Sequence, residues 1–385
     1  MKFAFCLFKY FPYGGLQRDC LEIAQTCRQR GHAITVFTTE WTGPVPDGVA
    51  VKILPGQGFT NHGRCNSFVK NVLPGLNAGA FDAVVGFNKM PGLDLYYAGD
   101  PCYQDRARRK YATCCGSFYQ ATPRFRRYVA LEKAVFDRRS RTEILLLTTA
   151  HQQVYMDLYQ TPVERFHLLP PGICRDRRPL ADSTAGREEL RHRFLRTRND
   201  LLLLMVGVGW RGKGLDRALR ALSALPSELR GKTTMVAVGE RRTKPFARLA
   251  ASLGVADYVS LLPPCMDIQR FFLAADLLVH PAYSDNTGGV ILESMAHGLP
   301  VLTTDVCGYA EHVRLANAGM VVPSPFKQEC MNRFLVDMLD SPQREAYSSN
   351  ALAYTTTLDL YSRSEKVATI IEEKAGRNRR AVPSA

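Results

Sequence analysis

Short, unbroken apolar runs recur along this chain, and their lack of polar alternation is the strongest constraint on its fold. Phe3 to Phe8, AITVFTTE at 33–40, FDAVVGF at 81–87 and Glu143 to Thr149 are such runs in the first half. LLLLMV at 201–206, TTMVAVGE at 233–240, VSLLPP at 259–264, ADLLVHPAY at 275–283 and LPVLTT at 299–304 are those of the second. A strand apolar on both faces must be covered on both faces, the condition of a parallel sheet sandwiched between helices. The stretches between the runs have helical spacing: Leu16, Cys20, Ile23, Ala24 and Cys27 share one face, and Gly31 stands where a C-cap belongs. Strand and helix alternate in both halves, so the pattern predicts two doubly wound α/β domains. Pro170-Pro171-Gly172 stiffens the chain between them and sets the boundary, giving 1–170 and 171–355. The stretch from Val51 to Pro74, rich in glycine, reads as a loose polar connection. The last dozen residues read as a frayed basic tail.

The formal charge of +14 and the pI near 9.4 favour an anionic partner, whether nucleic acid, a phosphate-bearing metabolite or an acidic membrane surface. Eleven cysteines without a C-x-x-C pair read as reduced core thiols, not as a disulfide framework or a zinc site. MKFAFCLFKYF superficially resembles a signal peptide, but Lys9 interrupts it and Gly14-Gly15 fit a strand-to-helix turn better. No apolar run reaches the length of about 18 residues that spanning a bilayer demands.

The chemistry concentrates in HPAYSDNTGGVILESMAHGLPVLTT, residues 280–304. Asp285 precedes the pair Gly288-Gly289, which opens a short helix carrying Glu293. A helix opening on glycines lets an anion approach unpaired backbone N–H groups, where the helix dipole also favours negative charge. Two carboxylates bordering a phosphate seat suit a ligand that offers both phosphate and hydroxyls. Arg211 and Lys213 stand in GVGWRGKGLDR directly after a buried strand, and two cations there would neutralise a diphosphate. The loop does not match a P-loop, and the sequence has no Asp-x-Asp pair or His/Cys cluster at ligand spacing, so no metal is expected. Gly14-Gly15 mark a second such turn, with Asp19 one helical turn on. His280 is read as a structural histidine and left out of the site.

Residues 103–141 differ from their surroundings. Arg106, Arg108, Arg109, Lys110, Arg124, Arg126 and Arg127 are interleaved with Tyr111, Phe118, Tyr119 and Phe125. That mixture suits anionic headgroups, with rings at the interface and cations on phosphates. It also suits single-stranded nucleic acid or a merely solvated face.

DNTGGVILESMAHGLPVLTT resembles the E-x7-E segment of the retaining glycosyltransferases of family four, with Asp285 in place of the first Glu and Glu293 matching the second. KYFPYGGLQRD, TNHGR, VVGFNKMPGLD, LPPGI and AADLLVHPAY are closer still to the branch of that family that acts on the lipopolysaccharide core. The resemblance runs from about residue 2 to about 370. It implies a GT-B fold, two Rossmann-like doubly wound domains facing a cleft, with a C-terminal helix at about 356–375 crossing back to the first. The donor would be a UDP-hexose, UDP-glucose or UDP-GalNAc, used as substrate without a cofactor. Glu293 would hold its ribose, Asp285, Thr287 and the Gly288-Gly289 amides its sugar, Arg211 and Lys213 its diphosphate, and Gly15 would close over it. Asp285, Asp100 and Asp19 would be the catalytic carboxylates. The acceptor would be a heptose of the phosphorylated lipopolysaccharide inner core, at the cytoplasmic face of the inner membrane, and nucleic acid would not be a partner. Relatives carry Glu-Ala-Ala where this chain has Asp285-Asn286-Thr287. A carboxylate shorter by one methylene, beside two added polar side chains, suits an N-acetylated or axial-hydroxyl sugar. A soluble transferase making another oligosaccharide and a non-enzymatic nucleic-acid-binding protein are the competing expectations.

Overall fold

The computed structural model describes residues 1–77, 79–110, 116–179, 184–340 and 342–381. The chain divides into two compact units, Met1–Pro170 with Ser362–Ala385, and Pro171–Tyr361.

The first unit is built on β1 (Lys2–Cys6), β2 (Ala33–Thr38), β3 (Val49–Ile53), β4 (Ala83–Gly86), β5 (Leu95–Ala98), β6 (Glu143–Leu146) and β7 (Phe166–Leu168). All pair in parallel, in the order β3-β2-β1-β4-β5-β6-β7. The inner strand β1 is apolar on both faces because both are covered. Phe3 and Phe5 join a core with Ile23 and Cys27 of helix Gly15–Gln29, while Ala4 and Cys6 join another with Phe68 and Phe136 from helices Asn61–Asn77 and Pro123–Phe136. The order turns back on itself between β1 and β4, and the crevice outside the carboxyl ends of such a pair is where open α/β sheets bind ligands. Gly14-Gly15 follow β1 there, and Asn88-Lys89 follow β4.

Three sequence expectations change. Residues 51–74 are not a loose connection: β3 occupies the sheet edge and a helix runs over Asn61–Asn77 with Pro74 inside it. An edge strand is half exposed and lacks the buried apolar run, and among the described side chains this helix buries only Phe68, Val69, Val72 and Leu76. The returning helix begins at Arg363, not near 356; Arg344–Thr356 is a separate helix of the second unit. The basic tail is helical to Ala381. Arg379 pairs with Asp82 at 2.6 Å, Arg377 with Glu143 at 2.9 Å, and Asn378 Nδ2 donates to Asp94 Oδ1 at 3.0 Å. Its positive charge is matched to carboxylates at the amino ends of β4, β5 and β6, which a count of basic residues cannot reveal.

The basic-aromatic segment folds into helices Tyr103–Lys110, Gly116–Ala121 and Pro123–Phe136. Thr122 caps the last, accepting from the Phe125 amide at 3.2 Å, with Pro123 in the first turn. Tyr103, Tyr119, Phe125 and Tyr128 pack on one another with centroids 5.0 to 6.1 Å apart. Phe118 alone among the described aromatics of this stretch projects into solvent, at 81% exposure. Arg106, Arg108, Arg109, Arg124 and Arg126 are exposed and Arg127 half-buried; the Lys110 side chain and all of Tyr111 lie outside the described residues.

Beneath these helices the fully buried Glu132 gathers five donors. Lys89 Nζ lies 2.6 Å from Oε1, the Tyr103 and Gln104 amides donate at 2.8 and 3.0 Å, Tyr159 donates through its hydroxyl at 2.7 Å, and Cys102 Sγ lies at 3.4 Å. Burial alone would raise the Glu132 carboxyl; Lys89 and the two amides outweigh it and hold the group below the ordinary carboxylate range.

The second unit holds β8 (Leu201–Val206), β9 (Thr233–Val238), β10 (Val259–Leu262), β11 (Leu277–His280), β12 (Val301–Thr304) and β13 (Gly319–Val322). The sheet is again parallel, in the order β10-β9-β8-β11-β12-β13, so its reversal lies between β8 and β11.

Candidate functional site

The carboxyl ends of β8 and β11 carry the loops that the sequence singles out. After β8 the chain turns through Gly207 and Gly209 into a single helical turn, Trp210–Lys213. Trp210 is fully buried and anchors that turn against Phe246, leaving Arg211 exposed and Lys213 half-buried. Gly214 ends the turn at φ +81°, and a Cβ built there would stand 2.0 Å from the Pro281 carbonyl oxygen. Only glycine permits so close an approach between the loop after β8 and the loop after β11. The contact is reinforced on both sides. The Tyr283 amide donates to the Gly212 carbonyl at 2.9 Å, and Arg217 Nη1 donates to the carbonyls of Pro281 and Ala282 at 3.2 and 3.0 Å. The Arg217 guanidinium also lies between the Tyr283 and Phe326 rings, 3.6 and 3.7 Å from their centroids.

This clamp brings Lys213 to Asp285. Lys213 Nζ lies 2.5 Å from Asp285 Oδ2, and His280 Nε2 reaches the same oxygen at 2.9 Å. His280 ends β11 and is 1% exposed; Thr303 fixes its backbone by donating to the His280 carbonyl at 2.9 Å. Burial would lower the imidazole pKa, but Asp285 and Cys307 together override it and raise the group to about 9. Burial would likewise raise Asp285, and the Lys213 and His280 charges hold it far below its usual range. The cluster therefore contains one carboxylate between two cations. Cys307 completes it from a bridge opposite Asp285: a His280 ring nitrogen, an Asp285 oxygen and Cys307 Sγ lie within 4.8 Å of one another. These are metal-ligand types that sequence spacing did not reveal, because β12 intervenes between 285 and 307. Here the Lys213 ammonium already supplies a cation to the shared oxygen.

Asp285 leads into Gly288, at φ +70°, and helix Gly289–Ala296. A Cβ at Gly289 would meet nothing within 4 Å, so the helix opens onto free space. Glu293 lies one turn in and is 5% exposed, Asn286 is buried, and Thr287 is half-buried with its carbonyl accepting from the Tyr309 amide at 2.7 Å. Arg211, Lys213, Asp285, Thr287, Gly288, Gly289 and Glu293 thus all belong to loops and a helix start at one sheet edge of the second unit. His280, set aside on sequence, sits in their midst; its signal was a histidine at a strand end five residues before the acid.

The remaining candidates belong to the first unit. Gly15 opens helix Gly15–Gln29 with clear space at its Cα. Asp19 accepts from the Tyr97 hydroxyl at 2.8 Å and pairs with Arg363 at 2.7 Å. Asp100, just past β5, is exposed.

A family model, glycosyl transferases group 1, matches residues 186–353. The lipopolysaccharide glucosyltransferase WaaG of Escherichia coli (strain K12) is 43% identical over 369 residues, 96% of this chain and 98% of that protein. A crystal structure of WaaG, described as a glycosyltransferase involved in lipopolysaccharide biosynthesis, is similar with a TM-score of 0.91 at 42% identity, over 96% of this chain and 99% of that one. Anabaena Alr3699/HepE in complex with UDP-glucose shares the fold, with a TM-score of 0.71 at 18% identity over 98% and 100% of the two chains.

Proposed function

We propose, from the premise that this chain belongs to the glycosyl transferases of group 1, that it moves a hexose from a UDP-sugar onto a heptose of the lipopolysaccharide inner core with retention of configuration. The observation that carries this is the likeness to the lipopolysaccharide glucosyltransferase along nearly the whole of both chains. The geometry of the second unit supports it: cations, an open helix start and carboxylates are gathered on one edge.

In this reading Arg211 and Lys213 neutralise the leaving diphosphate without a divalent metal, Lys213 turning to it from Asp285. Glu293 accepts from the ribose hydroxyls. The Gly288-Gly289 amides, Thr287 and Asp285 meet the sugar, and the Asp285-Asn286-Thr287 sequence leaves UDP-glucose and UDP-GalNAc as the donors to compare. In the first unit Asp100, exposed and in no described ion pair, is the carboxylate available for a proton, while Asp19 is held by Tyr97 and Arg363. Gly15 gives the backbone room to approach the donor.

Among the described residues no helix is long and apolar enough to cross a membrane. The exposed arginines around Phe118 support a peripheral seat on the anionic cytoplasmic face of the inner membrane. Purified protein should release UDP from one of the two donors in the presence of acceptor, undiminished by EDTA, and Glu293→Ala should abolish turnover. Full activity of that variant would refute its role, and release of UDP from neither donor would refute the reading.

A further inference from the structure

Lys213 and His280 both bind Asp285 through the single oxygen Oδ2, and among the described residues no bond to Oδ1 accompanies them. The two cations differ in what else they can do. Lys213 is half-buried beside the exposed Arg211, where a diphosphate would also claim it; His280 is sealed at the end of β11. An aspartate has two side-chain torsions and would swing when one of its two anchors is drawn away. The short side chain of Asp285 brings its carboxylate back to the strand end, within reach of that histidine.

We propose that His280 is the positioning residue for Asp285: it holds Oδ2 when the donor diphosphate engages Lys213, so that Oδ1 stays aimed at the sugar. In the free protein Lys213 and His280 share the carboxylate; with donor bound, His280 keeps it. Cys307, the remaining titratable group of the cluster, has its Sγ within 4.8 Å of both groups and acts on the imidazole together with Asp285. This rests on the transferase reading given above.

The charged imidazole, raised to about 9, gives the device a pH signature. A raised pKa means the His280–Asp285 attraction is present in full below the ordinary histidine value and is lost as pH rises through about 9. The test compares wild type, His280→Ala and His280→Gln with the better of the two UDP-sugars, measuring kcat, KM and UDP affinity by calorimetry. Misplacing a reacting group by about 1 Å costs on the order of 10²-fold in rate. His280→Ala is expected to lower kcat by about that factor while UDP affinity stays within about twofold, because uniform binding does not pass through this residue. His280→Gln, which keeps an N–H near the Nε2 position, is expected to recover most of kcat and to lack the alkaline limb near pH 9. Unchanged kcat in His280→Ala would overturn the proposal. So would equal losses of kcat and UDP affinity, or a Gln variant as impaired as Ala while still binding UDP. An inactive wild type would instead sink the transferase reading, so the two failures are distinguishable.

Discussion

Replacing Glu132 by Leu should destabilise the first unit severely, and the size of the effect follows from what the carboxylate holds. Its removal leaves the Lys89 ammonium, 10% exposed, with the Pro101 carbonyl at 2.8 Å as its other described acceptor. It also strands two backbone amides and the Tyr159 hydroxyl. Breaking a buried ion pair from one side costs about 3–5 kcal/mol. A unit of this size shifts its melting temperature by about 2–4 °C per kcal/mol, so the expected drop is about 6–20 °C. Calorimetry at pH 7 measures it directly. The double variant Lys89→Met with Glu132→Leu should recover at least half, since replacing both charges by apolar groups removes the uncompensated ammonium. Because the Glu132 pKa is depressed, its contribution is complete above the unfolded value near 4.3 and fades as pH falls below it. The gap between wild type and Glu132→Leu should therefore narrow in acid. A single variant that melts with wild type, or a double variant no better than the single, would show that Glu132 is not the centre of this network.

Gly214→Ala should part the loops after β8 and β11, because its Cβ would meet the Pro281 carbonyl at 2.0 Å; UDP affinity should fall at least about tenfold, and wild-type affinity would contradict the clamp. Glu143, lowered to about 2 by His167 first and then by Lys374 and Arg377, stabilises the fold above pH 4 to 5 and loses that effect as pH falls toward 2. Glu143→Gln should flatten the acid limb of the melting curve by comparison with wild type. Charge reversal of Arg124, Arg126 and Arg127 should reduce co-sedimentation with anionic vesicles while sparing UDP binding; equal binding to neutral and anionic vesicles would remove the electrostatic seat.

Most inner strands were legible because they are apolar on two faces, as LLLLMV of β8 is, in runs too short for a helix. Edge strands were legible only in part: VSLLPP of β10 shows its run, whereas β3, half exposed, reads as coil. The phosphate-seat residues were legible because glycine and cation stand next to each other in the chain. Clusters assembled across the fold were invisible for the opposite reason. His280, Asp285 and Cys307 meet only because β11 and β12 pair in register, and Lys89 meets Glu132 across 43 positions of chain. The basic-aromatic segment shows a mixed case: its charges do face outward, but most of its rings are spent on each other, leaving Phe118 as the one described ring free for a bilayer.

The helix Arg363–Ala381 places Val367, Ala368, Ile371 and Ala375 in the same core as Phe3 and Phe5. On the ribosome, therefore, the first unit to emerge is the last that can be finished. Its sheet must wait, with one apolar face covered only in part by helix Gly15–Gln29, until the whole second unit and the final helix have been synthesised, which at about 5–20 residues per second is tens of seconds of exposure. Nascent-chain aggregation, and the chaperones that prevent it, should thus act on the beginning of this protein for as long as its end is missing.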